Sequence, residues 1–456
     1  MRPLPYPLPP GEGNARKAMN EVVERYLGRE WVCEYCGHKH AVPIRRIVTV
    51  PEAERLASDV IADLCGRVKR ILLIADGNTW DVLGKVTAEG LRGRFPMTEC
   101  ILASESGRVL AEEKYGPEIL RAGEDCDVFV TVGAGTVTDL GKYAAHQRRI
   151  PWVSVPTAPS MNAYTSGVAA LIMNGMKVAL STAPATAVLV NPAVNAQAPV
   201  SLVQAGFADS LAKSFANADW RIASMLTGER YCPLPGRLTD EIEGATMARG
   251  ARLLDGDMEA VRRLMDALSL GGIAMVVAGK SSPASGGEHL VSHFLDMYTC
   301  GQAREPFAYH GTQVGVGITV AARIYDSLRQ LTVADVERRL AATRCDYERD
   351  IEAAGRRFPR AGGLLRKEFE GKRKSLVSLR RNLAARWDEV RQDVLSGVHT
   401  AEKITAVLKS AQCAVSFSEM GVPEDLGREA VRLARYLRDR LTVLDIAGEL
   451  GLLDEI

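Results

Sequence analysis

The sequence predicts an α/β N-terminal domain with a doubly wound, mostly parallel sheet, followed by an all-α C-terminal domain. Three observations carry this expectation. From Ile47 onward, short β-branched runs alternate with helix-compatible segments, the pattern of parallel strands joined by crossover helices. The run Val128-Phe129-Val130-Thr131-Val132 stops at Gly133-Ala134-Gly135-Thr136 and passes into a helix-compatible stretch holding Asp139 and Lys142. After Val188-Leu189-Val190-Asn191-Pro192 the strand signals fade and long helical patterns take over. The boundaries expected are 1–46 for an N-terminal extension, 47–200 for the α/β domain and 201–456 for the helical domain.

Composition narrows the classes of function. With 456 residues, 46% hydrophobic and 25% charged, the chain has the balance of a globular protein with more than one core. A formal net charge of +1 gives no electrostatic case for nucleic acid or an anionic membrane. No apolar run approaches the roughly 20 residues needed to span a bilayer. The proline-rich start, residues 1–13, lacks the apolar helix-forming core of a secretory signal, so a cytoplasmic location is expected. Nine scattered cysteines read as reduced thiols, not as a disulfide framework.

Taken in order, a short helix is expected over 15–27, and then Cys33, Cys36, His38 and His40 crowd into one turn. Thiolate and imidazole suit zinc, but a structural site takes its second ligand pair from further along, and no second CxxC or spaced HxxxH follows nearby. A plain turn is the other reading. Strands are expected at 47–50 and 68–75 with a helix over 52–65 between them; the second strand ends in Asp76-Gly77-Asn78-Thr79. An acidic residue in that place can hold a ribose hydroxyl or can cap a helix. A helix over 80–92, a strand at 98–102 and a helix over 117–122 continue the alternation. The Gly133–Gly135 turn lets the backbone pass close to a ligand phosphate, with the following helix N-terminus favouring the anion, although such turns also serve packing. The strand Trp152-Val153-Ser154-Val155 then runs into Pro156-Thr157-Ala158-Pro159-Ser160. Two such exits in succession imply neighbouring parallel strands, whose carboxyl ends hold ligands in α/β folds.

In the helical half, the segment 202–225 carries Asp209 and Lys213 one helical turn apart on one face. Their apolar surroundings favour burial, which calls for a metal or anion as partner. Three of the seven histidines, His289, His293 and His310, lie close in sequence. Spacing alone nominates His289 and His293, at i and i+4 on one helical face. Residues 333–391, rich in Arg, Glu and Leu, read as solvated amphipathic helices. Residues 424–452 are again helical.

GAGTVTDLGK resembles the glycine-rich signature of the iron-containing alcohol dehydrogenase superfamily. VPTAPSMNAYTSG, GFADSLAKSFANADW, ASGGEHLVSHFLDM and AYHGTQVGVG together resemble its sn-glycerol-1-phosphate dehydrogenase branch, in the bacterial AraM-like form. The resemblance implies a nicotinamide-binding α/β domain facing a helical domain across the active site. It assigns one divalent ion, zinc, nickel or iron, to Asp209, His289 and His310, leaving His293 a supporting role. It implies NAD or NADP as cofactor, with NAD favoured because the Asp76 carboxylate repels a 2′-phosphate. Asp76 and Asn78 are expected at the adenosine ribose, Gly133, Ala134, Gly135, Thr136 and Asp139 along the cofactor, and Thr157, Ser160 and Ser166 at the nicotinamide. Asp139 is also expected to face the substrate, and Lys213, with Lys177 second, to meet its phosphate. The substrate implied is a small phosphorylated ketone or polyol, dihydroxyacetone phosphate reduced to sn-glycerol 1-phosphate, and the assembly a homodimer. The chain departs from the family pattern at Ala134, Ala163, Ala208 and Asn191. Added methyls in a pocket alter selectivity by about 1–3 kcal/mol each, so a related dehydrogenase acting on another polyol or polyol phosphate is the alternative. A catalytically silent binding relative is a third reading, against which the intact ligand set stands.

Overall fold

A computed structural model describes residues 24–455 other than Ser106. The proline-rich start and most of the helix expected over 15–27 lie outside the described residues; residues 25–28 form a turn. Ten strands follow: β1 (Arg29–Val32), β2 (Lys39–Val42), β3 (Arg46–Thr49), β4 (Ile71–Asp76), β5 (Met97–Leu102), β6 (Val128–Gly133), β7 (Trp152–Pro156), β8 (Val168–Met173), β9 (Met176–Ser181) and β10 (Ala187–Val190). Six of them form one parallel sheet in the order β3-β10-β7-β6-β4-β5. The other four make two antiparallel hairpins, β1-β2 and β8-β9.

The sheet is central because its strands are apolar on both faces. Leu72, Ile74, Phe129, Trp152 and Val188 join one core, and Ile71, Leu73, Val130, Val153 and Leu189 the other. Strands covered on both sides read as continuous apolar runs, and β6 is buried at every position. From β4 the chain proceeds outward to β5, then returns to the other side of β4 to form β6 and continues to β7. The reversal falls between β4 and β6. It brings the carboxyl ends of those strands, Asp76 and Gly133, to the crevice where doubly wound sheets bind ligands.

The β8-β9 hairpin was not among the expected elements, although its signal was present. Asn174-Gly175 stands between two apolar runs, and both residues take positive φ, 51° and 76°, as a tight hairpin turn demands.

Beyond β10 the described chain is helical. The segment 202–225 falls in two helices, Val200–Ser210 and Ala212–Thr227, meeting at Leu211. Against them pack the helices Gly287–Gly301 and His310–Arg329. Glycine permits the approach: a Cβ on Gly311 would stand 1.9 Å from the Ala205 carbonyl oxygen, and one on Gly317 2.3 Å from that of Glu288. Three helices that carry metal-ligand chemistry therefore touch backbone to backbone.

The solvated helices expected over 333–391 require a correction. The helix Gly362–Asn382 buries Leu365, Phe369, Leu376 and Leu379 in the main core. It also buries Lys372, whose Nζ lies 3.1 Å from both carboxylate oxygens of Asp445. A buried ammonium needs such a partner, and none is visible in the local Arg/Glu pattern because it arrives from 73 residues away. Among the described residues no helix is long and apolar enough to cross a membrane, and all nine cysteines are free.

Candidate active site and metal centre

Asp209 occupies the last turn of Val200–Ser210, His289 the first turn of Gly287–Gly301, and His310 opens the next helix. Their ligand atoms all lie within 4.8 Å of one another. His289 Nε2 is 3.3 Å from Asp209 Oδ1. Asp209 is 1% exposed, yet neither of its carboxylate oxygens has a hydrogen-bond partner. Lys213 Nζ comes within 3.4 Å of Oδ2 but donates instead to the Asp209 carbonyl at 2.8 Å. Burial would raise the Asp209 carboxyl, but Lys213 and His289 outweigh it and hold it below the ordinary carboxylate range. Burial, with His289 adding to it, pushes His310 down to about 4, so its imidazole is neutral and free to ligate.

The Nδ1 atoms of both histidines are already engaged. Glu288 Oε1 accepts from His289 Nδ1 at 2.9 Å, and Ser292 Oγ pairs with His310 Nδ1 at 3.0 Å. Each ring then has Nε2 left for the centre, the arrangement by which second partners orient metal-binding imidazoles. An unsatisfied buried carboxylate facing two such rings fits a divalent ion, and three protein donors leave a position for substrate. His293, which spacing nominated, is not one of the three donors. Its ring centroid lies 6.2 Å from that of His289 and 5.8 Å from that of His310. It is buried with Nδ1 unpartnered, and burial followed by Arg438 and His310 drives it well below the usual histidine range.

Glu288, Ser292 and Asp219 are site residues that sequence reasoning missed. Asp219 accepts from the Gly287 amide at 2.8 Å, from Tyr325 Oη at 2.5 Å and from the Val443 amide at 2.9 Å, so it fixes the start of the helix that carries His289. Glu288 had a local signal, standing immediately before a candidate ligand at a helix start. Asp219 had none, because its partners come from three separate segments.

On the sheet side, Asp76 and Asn78, the turn 133–136, and Thr157 with Ser160 lie at or just after the ends of β4, β6 and β7. Gly133 and Gly135 each have a packing reason: a Cβ would stand 2.6 Å from Val137 Cβ and 2.0 Å from Met161 Sδ respectively. Ala134 and Thr136 are half-buried at the mouth of this turn, where the helix Gly135–Arg148 presents its first amides. Asp76 is half-buried and caps the next turn, its Oδ1 accepting from the Thr79 amide at 2.8 Å, while Asn78 is exposed. Thr157 and Ser160 are buried, Ser160 Oγ lying 3.1 Å from Tyr164 Oη. Asp139 is 2% exposed, with Oδ1 2.9 Å from Lys142 Nζ and Oδ2 accepting from the Ala170 amide at 3.2 Å. Lys142 also donates to Ser166 Oγ at 3.0 Å, so Asp139, Lys142 and Ser166 form one buried brace between this helix and β8. The loop after β7 then reaches the metal side: a Cβ on Gly206 would stand 1.7 Å from the Pro159 carbonyl oxygen. Asn191 donates to Glu54 Oε2 at 2.9 Å while capping the helix Pro192–Ala196, which gives its departure from the family's Asp a physical reason.

Residues 48–199 match the family model described as iron-containing alcohol dehydrogenase. The chain is 32% identical over 437 residues to the NAD(P)+ glycerol-1-phosphate dehydrogenase of Bacillus licheniformis, covering 95% of this chain and 96% of that one. It is 29% identical over 437 residues to the enzyme of the same name from Geobacillus stearothermophilus, covering 95% and 99%. In fold it is similar to glycerol dehydrogenase from Schizosaccharomyces pombe, with a TM-score of 0.60 at 14% identity over 90% of this chain and 89% of that one. It is also similar to the NADH-dependent butanol dehydrogenase A of Thermotoga maritima, with a TM-score of 0.56 at 15% identity over 89% and 96%. The chain thus belongs to the glycerol-1-phosphate dehydrogenase family, within the iron-containing alcohol dehydrogenases.

Proposed function

We propose that this protein reversibly reduces dihydroxyacetone phosphate to sn-glycerol 1-phosphate, using NADH or NADPH with NADH favoured. One divalent ion, zinc, nickel or iron, would be held by Asp209, His289 and His310. The observation that carries the reading is the buried Asp209 carboxylate with both oxygens unsatisfied between two oriented imidazoles. When bound, the ion supplies Lewis acidity at the substrate carbonyl and the nicotinamide supplies the hydride.

The chain's own residues do the positioning. The turn Gly133-Ala134-Gly135-Thr136 offers helix-start amides to the cofactor pyrophosphate, and Asp76, with Asn78 beside it, meets the adenosine ribose. Thr157, Ser160 and Ser166 line the nicotinamide side. Asp139 acts through Lys142, holding the turn in shape. Neutral His293, with a free ring nitrogen beside the centre, is placed to exchange the proton that accompanies hydride transfer. Two ammonium groups are available for the substrate phosphate. Lys213 is partly compensated by Asp209, and Lys177 lies 3.5 Å from Asp296 Oδ2. A homodimer and a cytoplasmic location go with the family reading.

A second reading, a related dehydrogenase acting on another polyol or polyol phosphate, rests on the departures at Ala134, Ala163 and Ala208, since added methyl groups in a pocket alter selectivity. The test is NADH oxidation by metal-loaded protein with dihydroxyacetone phosphate, with chiral identification of the product. Turnover only with another ketone would keep the dehydrogenase and overturn the substrate. No stoichiometric ion in the purified protein, or ion content unchanged in both Asp209→Ala and His310→Ala, would overturn the centre.

A further inference from the structure

The Cys33 and Cys36 turn, which no second ligand pair follows nearby in the sequence, meets Cys232 in the fold. The hairpin β1-β2 carries Cys33, Cys36 and His40; Cys232 lies between the helices Ala212–Thr227 and Leu234–Met247. Cys33 Sγ is 3.8 Å from Cys232 Sγ, Cys36 Sγ is 3.2 Å from His40 Nε2, and Cys232 Sγ is 3.5 Å from the same nitrogen. The four donor atoms all lie within 4.8 Å of one another. We propose that Cys33, Cys36, His40 and Cys232 bind a structural zinc ion, separate from the catalytic centre.

The dimensions suit that ion. Zinc–sulfur bonds of about 2.3 Å in tetrahedral geometry put ligand sulfurs about 3.8 Å apart. Cys33, His40 and Cys232 are buried, as a closed four-ligand site requires. The turn is shaped for ligation: Gly37 takes φ +69°, its amide donates to the Cys33 carbonyl at 2.8 Å, and the Cys33 amide donates to the His38 carbonyl at 2.8 Å. His38 is excluded from the ligand set, since it is exposed and its Nδ1 bonds the Cys36 carbonyl at 2.7 Å. Three thiols and an imidazole converging from segments 199 residues apart have no need of one another for packing alone. A two-stranded hairpin of four residues per strand is marginal by itself. The ion would fasten it over the apolar patch of Trp220, Leu238, Ile242 and Ile273.

Cobalt substitution tests this on the full-length protein, because the Asp-His-His centre contains no sulfur. The expected cobalt(II) protein shows a thiolate-to-cobalt charge-transfer band that persists in Asp209→Ala and is lost in Cys232→Ser. Zinc-grown wild type should hold two metal equivalents per chain, with one lost in Cys232→Ser and a lower melting temperature. Wild-type cobalt protein without a thiolate band would overturn the proposal, and that reading does not depend on any variant folding. A Cys33–Cys232 disulfide in protein purified without reductant would overturn it as well. Loss of the Asp209 metal alone leaves the thiolate band in place, so failure at the catalytic centre is distinguishable from failure here.

Discussion

Glu288 Oε1 accepts from His289 Nδ1 at 2.9 Å and from the Gly286 amide at 2.7 Å, so one carboxylate fixes both the ring and the helix start beneath it. His289 Nε2 is thereby turned to Asp209. Glu288→Ala should weaken metal affinity by about 10–100-fold, the usual cost of losing such a partner. Chelator competition measures it, and an unchanged affinity would show that His289 is oriented by other means.

His293 stands beside the donor group of Asp209, His289 and His310 without belonging to it. His293→Phe should therefore keep its metal while kcat falls by about 10²-fold or more, the scale of a lost proton-transfer group. Equal metal content with unchanged kcat would remove His293 from the proton path.

Asp76 has two uses that one substitution separates. Serine also caps helices, so Asp76→Ser keeps the bond to the Thr79 amide and removes the charge. The ratio of kcat/KM for NADPH to that for NADH should rise by about tenfold, equivalent to about 1.4 kcal/mol of relieved repulsion. Steady-state kinetics with both cofactors decides it; an unchanged ratio places the ribose elsewhere.

Asn191→Asp restores the family's usual residue and should destabilise this chain. It sets a second carboxylate against Glu54 Oε2, which the Asn191 amide now reaches at 2.9 Å. The cost expected near neutral pH is about 1–3 kcal/mol, by urea unfolding. It should shrink as acid protonates one of the two carboxyls. A neutral or stabilising result would mean that Glu54 turns away.

Burial and the neighbouring Glu288 push the Asp219 carboxyl up to about 8. In the unfolded chain the same group titrates in the ordinary carboxylate range, so on raising the pH the unfolded state loses this proton first. Stability from this pair is therefore greatest in acid and declines from the carboxylate range up to about pH 8. In metal-free protein, Glu288→Gln should flatten that decline relative to wild type, read as melting temperature against pH. Parallel curves would mean that Glu288 does not contribute to the raised Asp219 carboxyl.

Much of the sheet was legible because its physics is local. A short β-branched apolar run such as residues 128–132, ending at a glycine, suits a strand covered on both faces, which is what β6 is. The β8-β9 hairpin has a local signal too, in Asn174-Gly175 between two apolar runs. The site was less so. Spacing paired His289 with His293, whereas the donor group takes one residue from each of three helices, a grouping the resemblance supplied and periodicity did not.

The sequence by itself determined the order of strands and helices, the glycine turn at the end of β6 and the stock of ligating side chains, because periodicity and turn chemistry act over a few residues. Only the tertiary structure decided which of those side chains meet. It brought Cys232 to Cys33, Asp445 to Lys372 and Asp219 to the Gly287 amide, contacts made across 199, 73 and 68 residues. Each of these meetings joins distant segments, and close packing between distant segments leaves no period in the sequence to read.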